Sequence, residues 1–439
     1  MHSKQLNLKI HTAMATWPGY ALFFMMLFVP TTYQPIKAVL LATVLTLIGI
    51  GILMRGRLHL HMSILLWTLF MMATGLAFMT IGVMNNAPGA LRVGTVYVLW
   101  PFFYTVLLAG INQKNIVDGI FKVLVFSAIA IPLYSILYLL YAAGWLPDSL
   151  YVELYMGQAV GFYEGYIEYN LYNISSFNFL VPFLIAIMFT WPKGIEMPIS
   201  RMWLWLACLL SVAVAILSGR RAVWLILAIS PIIVMAARMS MVRQYRLANR
   251  RQQKRVIAGF LTMVGGLFLY FHYAADLGII AIVDNFIEGF DFSGADDASL
   301  RAEQFFTLYN GWQQTPLFGA GHGASALGPL RSAEIPWAYE LSYAALLFHT
   351  GIIGFLIYSS GVIYIFWMGL KIIRSGHWLG IYMLPVLVGT TCFLIANATN
   401  PYLEKFDYIW VIFLPVALIN IWLLNKDKNC HLQKKPCPH

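Results

Sequence analysis

The chain has 439 residues, of which 60% are hydrophobic and only 10% are charged, and its formal net charge is +10. An ordinary soluble domain is about 25% charged, so this composition excludes a water-facing surface of normal size. In lipid each backbone polar group must be satisfied within its own segment, so long apolar runs become helices, and the alternating pattern of a membrane β-barrel does not occur here.

The apolar segments predict an all-α polytopic membrane protein, with residues 1–439 forming one integral membrane domain. The charged N-terminus precedes an uncleaved first helix, and about twelve spans follow in all. Because this number is even, both ends of the chain are expected on the same side. The predicted spans are centred near residues 21, 45, 73, 100, 130, 184, 209, 231, 265, 355, 388 and 416.

The distribution of charge indicates which side that is. Twenty of the 28 Lys and Arg residues fall on the side of the termini, and fifteen of the 18 Asp and Glu residues fall on the other. Lys and Arg concentrate in cytoplasmic loops, so we predict a multi-span membrane protein with both termini in the cytoplasm. Residues 238–255 form a basic cytoplasmic loop, for which topology and anionic lipid explain the charge better than nucleic-acid binding.

Residues 425–439 are expected to be a cytoplasmic tail. The Lys-rich tail carries two cysteines beside two histidines, a composition that a metal site could use. An unstructured end is the preferred interpretation, and no metal or cofactor is predicted. The four residues concerned are Cys430, His431, Cys437 and His439.

Two segments on the side opposite the termini, residues 143–176 and residues 276–340 between spans nine and ten, are too long to be simple connections. In the second, Phe305, Leu308 and Trp312 have the spacing of one face of an amphipathic helix. The sequence TPLFGAGHGAS follows, with glycines at 319, 321 and 323. Such glycines let backbone N–H groups approach a ligand, as phosphate-binding loops do, or they build plain turns.

Arginines on this side are informative because the charge rule disfavours them there. Arg220 and Arg221 precede a predicted helix, and two adjacent guanidiniums at a helix N-terminus suit a pyrophosphate. Snorkelling at the membrane interface, beside a carboxylate, is the alternative. Arg301 could join them or could pair with a nearby acid, Asp296, Asp297 or Glu303. Arg92 and Arg331 are assigned structural roles first, and substrate binding is the alternative for Arg331.

Glu340 begins the tenth predicted span, where a partly desolvated carboxylate can act as a general base. The alternative is a simple acid at a helix start, stabilised by the helix dipole. His349 is expected to be a core histidine, whereas His322, in the glycine segment, is expected to be exposed enough to touch a substrate. Aromatic residues on this side could stack on sugars or simply mark the interface: Tyr155, Tyr163, Tyr166, Tyr169, Trp337 and Tyr339.

The order of these motifs resembles the bacterial O-antigen ligase and O-antigen polymerase superfamily. The resemblance rests on SGRRA at a span boundary, on the segment from Arg301 to Trp312, on PLFGAGHG, and on ELSYAALLFHTGIIG opening a helix. It covers roughly residues 200–360. It implies a metal-independent, GT-C-like glycosyltransferase of the bacterial inner membrane that uses an undecaprenyl-pyrophosphate-linked oligosaccharide at the periplasmic face.

The resemblance also bears on the type of transfer. Ligases of this family typically have a histidine eleven residues before the first glycine of the helix motif, and here that position, counted from Gly351, is Glu340. The prediction is therefore an inverting polymerase, with Glu340 as base, Arg220, Arg221 and Arg301 on the pyrophosphate, and a chain-length regulator as a possible partner. His322, Tyr339 and Arg331 are further substrate-binding candidates.

Two alternatives stay open. The first is ligation of finished polysaccharide to lipid A core or to protein. The second is a transporter or flippase, which would need ionisable groups at mid-membrane, where Lys122 and His349 are the main candidates. An inverted pair of broken helices, typical of many transporters, is not visible in the sequence.

Overall fold

The structure is a computed structural model that describes residues 17–433, except 57, 156–157, 164–165, 249, 329–333 and nearly all of 275–296. The described chain is built almost entirely of helices. They are α1 Trp17–Phe28, α2 Gln34–Arg55, α3 Met62–Met84, α4 Ala90–Gly110, α5 Lys114–Ala142, α6 Phe177–Thr190, α7 Arg201–Leu217, α8 Arg221–Met239, α9 Arg243–Ala248, α10 Arg250–Ala274, α11 Asp297–Gln314, α12 Ser342–Arg374, α13 Leu379–Asn397 and α14 Phe406–Gln433.

Each of the twelve predicted centres falls within a helix. Among the residues that the structure describes, nine helices are long and apolar enough to cross a membrane: α2 to α6, α8, α12, α13 and α14, with α6 counted from residue 172. Helices α1 and α7 are apolar but shorter. The prediction of an all-α polytopic membrane protein is therefore confirmed.

The helix connections gather at two ends of the bundle. At one end, the backbone N–H of Thr31, between α1 and α2, donates to Asp407 at the start of α14 over 2.9 Å. The N–H of Tyr169 donates to the Ser218 carbonyl between α7 and α8, and the Tyr343 hydroxyl of α12 donates to Leu394 of α13. We call this the hairpin end, because the only β-hairpin of the described chain, Ala159–Tyr163 with Tyr166–Asn170, lies there.

The opposite end joins the other set of connections. The N–H of His61, between α2 and α3, donates to the side-chain oxygen of Asn420 late in α14, over 2.8 Å. The Tyr382 hydroxyl, early in α13, donates to Asp118 near the start of α5 over 2.6 Å. Consecutive helices thus run in alternating directions, as successive membrane spans must.

Helix α6 lies at the centre of the core. All of its residues are buried, including the aromatic rings of Phe179 and Phe183. The Phe179 ring packs edge-on against Trp410 of α14, with 4.6 Å between centroids, and Phe183 packs against Phe121 of α5. A helix that is apolar on all sides is stable only when other helices or lipid surround it, so the bundle closes around α6.

Three predicted segments differ from expectation. Segment 143–176 holds a two-stranded antiparallel hairpin, which the prediction of an all-helical chain missed. Its signal was a Glu-Gly pair between two segments rich in Tyr, Val and Ile. The basic loop 238–255 is largely helical, because Arg, Lys, Gln, Leu and Ala favour helix and neither Gly nor Pro interrupts them. The end of the chain was expected to be unstructured from 425, but α14 continues to Gln433; the last six residues lie outside the described chain.

A buried ion pair fastens the first two helices to the last at the hairpin end. The Lys37 ammonium lies 2.6 Å from an oxygen of Asp407, and the two side chains are 2% and 1% exposed. The Lys37 ammonium also donates to the Val29 carbonyl, while Asp407 accepts from the Thr31 N–H and the Gln34 amide. Each charge therefore has hydrogen-bond partners besides the other charge, which a buried pair needs.

Candidate active site

The predicted base is paired with one of the predicted arginines. The Nε of Arg301, on α11, donates to Oε2 of Glu340 over 2.8 Å, and the two side chains are 29% and 27% exposed. Glu340 stands two residues before α12 begins at Ser342. This pairing was not among the three acids considered for Arg301, because 39 residues separate it from Glu340 in the sequence.

Gln304 holds the backbone of Glu340 in place. Its side-chain oxygen accepts the N–H of Glu340 over 2.9 Å and the N–H of Leu341 over 3.3 Å. Gln304 is buried and lies one helical turn from Arg301 on α11, so one face of α11 fixes both the carboxylate and the peptide that carries it. Sequence analysis missed Gln304, although a Gln on the buried face of an amphipathic helix was a possible signal.

Arg220 and Arg221 lie at the hairpin end, where α8 begins. The Arg220 guanidinium donates to the side-chain oxygen of Asn170 on the second strand of the hairpin, and its backbone N–H donates to Ser218. Arg221 is the first residue of α8 and is partly exposed. The hairpin packs directly on the turn before α8, because a Cβ on Gly219 would lie 2.7 Å from the Ile167 carbonyl oxygen.

The two groups of charged residues share the hairpin end but sit on different helices. Helix α13 contacts both, because Ile226 of α8 packs against Cys392 and Ala396 of α13, and Tyr343 of α12 bonds to Leu394. The structure therefore joins Arg301 to Glu340 directly, whereas Arg220 and Arg221 lie at the start of α8, which packs on α13 as α12 does.

The glycine segment after α11 does not present its backbone to a ligand, and that interpretation is wrong. The N–H of Gly321 donates to the His349 carbonyl over 2.9 Å, and the N–H of His322 donates to Phe78 of α3 over 3.0 Å. Gly321 has a φ of +91°, and a Cβ there would lie 2.2 Å from the nitrogen of Gly82. The glycines thus let the segment pass between α3 and α12 in contact with their backbones.

Helix α12 is broken where this segment meets it. Gly351 has a φ of +60°, which L side chains rarely adopt, and the helix continues after it. The N–H groups of Ile352 and Ile353 donate to the carbonyls of Pro316 and Leu317, over 2.9 and 3.1 Å, instead of to the preceding turn.

The carbonyls freed on the other side of the break are also occupied. Phe348 and His349 accept the N–H groups of Ala320 and Gly321, each over 2.9 Å. Transporters use unwound backbone of this kind to bind ions and substrates. Here the glycine segment satisfies those backbone groups, as a break at membrane depth requires, so the break does not favour transport.

The two histidines are both buried. The Nε2–H of His349 donates to the Ala324 carbonyl over 3.0 Å, and the side chain is buried, which confirms its assignment to the core. His322 is fully buried, so the exposure predicted for it is wrong. The His322 ring stacks on the ring of Tyr97, with 4.2 Å between centroids, and Tyr97 lies in a π-helical stretch of α4. The Nε2 of His322 lies 3.2 Å from the Tyr358 hydroxyl.

Several aromatic candidates for sugar stacking are buried too. The Tyr339 hydroxyl accepts the N–H of Ala326 over 2.6 Å, so this residue orders the loop instead of facing solvent. Tyr155 and Tyr169 are buried by contacts with α1 and α7, and Trp337 is partly exposed against Gly89. Arg331 and the side chains of Tyr163 and Tyr166 lie outside the part of the chain that the structure describes.

The described residues therefore offer a partly exposed ion pair at the start of α12 and two arginines at the start of α8. Both are at the hairpin end, and charge-assisted contacts to an anionic ligand and proton acceptance by a carboxylate are chemically available there. In comparisons with protein families and with curated proteins, the sequence matches none.

Proposed function

We propose that this chain is a polysaccharide polymerase of the inner membrane. It transfers a glycan from undecaprenyl pyrophosphate to the next lipid-linked repeat unit, with inversion, and the hairpin end is its periplasmic face. The proposal includes twelve spans and cytoplasmic termini. The orientation rests on the excess of Lys and Arg at the opposite end.

The observation that carries the proposal is the contact between Arg301 and Glu340. A carboxylate and a guanidinium 2.8 Å apart, each more than a quarter exposed, can be reached by a substrate at the bundle end. At such exposure an ion pair adds only about 0.2–1 kcal/mol to stability. This small gain does not explain why the buried side chain of Gln304 binds the backbone of Glu340. The buried Gln304 fixes the position of Glu340, which supports a catalytic role for the Glu340 carboxylate.

In the proposed reaction, the acceptor sugar hydroxyl attacks the anomeric carbon of the donor. The new carbon–oxygen bond forms as the bond from that carbon to the pyrophosphate oxygen breaks, and the pyrophosphate leaves with the electron pair. Glu340 takes the proton of the attacking hydroxyl. Arg301, Arg220 and Arg221 stabilise the charge that grows on the leaving group, the larger contribution to the rate in reactions of this type.

Polysaccharide from a strain that lacks this chain tests the proposal. If the chain is a polymerase, its deletion is expected to leave single repeat units in place of long chains. Expression of the wild-type chain should restore a ladder of chain lengths on a gel. Accumulation of long chains on the lipid carrier would instead indicate the ligase alternative. An unchanged ladder would overturn both transferase assignments.

The arginines at the start of α8 provide a second test. Arg220→Ala and Arg221→Ala are each expected to lower turnover of purified lipid-linked donor about 10²-fold, the usual cost of removing one donor that stabilises developing charge. The measurement is the initial rate in detergent or nanodiscs. Arg92→Ala is the matched control, because Arg92 is exposed at the start of α4 at the same end, and its rate should not change.

A structural effect of Arg220→Ala can be separated from loss of its charge. Asn170→Ala removes the partner of the Arg220 guanidinium on the hairpin but keeps the guanidinium. The rate should stay near that of the wild type if Arg220 acts on the donor. Equal losses in the two variants, or normal rates in all arginine variants, would contradict the pyrophosphate role.

A further inference from the structure

Helix α11 has three distinct faces. The first packs on the bundle through Gln304 and Leu308, both buried, and through Gly311, which lies against Phe348 of α12. The second is polar and exposed, and it carries Glu303 and Asn310. The third is aromatic and adjoins the packed face. The sequence predicted the amphipathic helix correctly but assigned Phe305 to the same face as Leu308, and it is largely exposed.

The aromatic face is continuous and exposed. Phe305, Phe306 and Tyr309 are 46%, 61% and 41% exposed, and Trp312 is partly exposed. Neighbouring rings contact one another: Phe305 stacks on Tyr309 with 6.2 Å between centroids, and Tyr309 lies 5.5 Å from Trp312. We call these four residues the aromatic stripe. Large contiguous apolar surfaces exposed on one side of a helix mark an interaction, whereas scattered apolar residues do not.

The stripe adjoins other exposed apolar side chains, which lead to a helix long and apolar enough to span a membrane. The Nε1 of Trp312 donates to the Pro316 carbonyl, and the next two residues, Leu317 and Phe318, are more than half exposed. This segment lies against the break of α12, where Ile352 donates to the same Pro316 carbonyl. From there α12, which is long and apolar enough to span, exposes Ile352, Leu356, Ile363 and Trp367.

We propose that α11 lies in the headgroup layer of the membrane, with the aromatic stripe directed into the lipid. An unbroken apolar surface from a spanning helix to the stripe places both against the same bilayer. Tyr and Trp favour that depth because their rings are apolar and their polar groups remain hydrated. The polar face with Glu303 and Asn310 then points to water, as in other helices that lie in the interface.

This placement has a consequence for Glu340. Arg301 and Gln304 hold Glu340 from α11, so a helix fixed at headgroup depth sets the depth of that carboxylate as well. A lipid-linked substrate carries its phosphates at the same depth. The inference itself does not depend on glycosyl transfer, and its test does not use activity.

Quenching of a fluorophore attached to single cysteines tests the position of the helix. The variants Phe306→Cys and Tyr309→Cys place an NBD label on the stripe, and Asn310→Cys places it on the polar face. The full chain, with Cys430 and Cys437 replaced by Ser, is reconstituted into phosphatidylethanolamine and phosphatidylglycerol vesicles. The native Cys208 and Cys392 are buried. Leu317→Cys supplies a stripe-side position outside the helix, in case a substitution within α11 prevents folding.

Labels at 306, 309 and 317 are expected to be quenched several-fold more by lipids with a doxyl group near the headgroup than by iodide in water. The label at 310 should show the reverse order. Strong iodide quenching at the stripe positions would overturn the inference. So would protection from both quenchers, because protein and not lipid would then cover the stripe. The same pattern in the Glu340→Gln chain keeps this result separate from the success or failure of the proposed reaction.

Discussion

Replacing Glu340 by Gln is expected to abolish chain extension while the amount of folded protein stays unchanged. A general base contributes about 10²–10⁴ to a rate, and a loss of that size removes a visible polysaccharide ladder. The fold should tolerate the change, because Gln304 binds the backbone N–H of residue 340 and not its side chain. The Gln oxygen can still accept from Arg301, and the charge lost from this partly exposed pair is worth about 0.2–1 kcal/mol.

The matched control is Glu303→Gln. Glu303 is an exposed carboxylate on α11, two residues from Arg301, and it lies on the polar face of the helix. Its replacement removes the same charge from the same region, so chain length should not change. Glu340→Asp keeps the carboxylate on a shorter side chain and should retain part of the activity. Long chains of normal length in the Glu340→Gln strain would rule out the proposed base.

Breaking the buried pair between Lys37 and Asp407 is expected to have the largest effect on stability. Lys37→Met leaves the Asp407 carboxylate buried without its counter-charge, which costs about 3–5 kcal/mol in buried pairs of this kind. Thermal or denaturant unfolding of the purified chain measures the loss. The double variant Lys37→Met with Asp407→Asn removes both charges and should lose less than the sum of the two single variants.

Lys122→Met is the control for this experiment. Lys122 also lies in a helix long enough to span, α5, but its side chain is exposed, so its removal should change stability by about 0.5 kcal/mol or less. If the Lys37 and Lys122 variants unfolded at the same temperature, the pair would contribute little. A loss in the double variant equal to the sum of the two single losses would show that the two charges are not coupled.

The broken helix α12 gives the hairpin end a defined geometry. The glycine segment satisfies the backbone groups on both sides of the break, and it carries the chain from α11 to α12. Arg301 and Gln304 lie before that segment and Glu340 lies after it, so the depth at which the segment enters the bundle governs how α11 meets the start of α12. Substitutions in the glycine segment are therefore expected to change the position of Glu340 relative to α11, although Glu340 itself is unchanged.

The positions of the helices along the chain were the readily predictable part of the fold. A helix occurs at every predicted centre because lipid forces each apolar segment to make its hydrogen bonds internally, a requirement that a single segment reveals. The helix containing Arg301 was predictable for a similar reason, since its periodicity is local. The β-hairpin was missed because its strands are short and depend on packing against the turn before α8.

Contacts between distant segments were decided only by the tertiary structure. The Arg301 side chain could reach several acids in the sequence, and packing of α11 on α12 selected Glu340. The glycines suggested a loop open to a ligand, but the N–H groups of Ala320 and Gly321 bond to carbonyls at the break in α12, and His322 is buried beside Tyr97. The sequence by itself determined that the chain forms apolar helices long enough to span a membrane and where its charged residues interrupt them, because composition and charge act locally. Their partners and burial depend on how segments far apart in the chain pack, which no local pattern records.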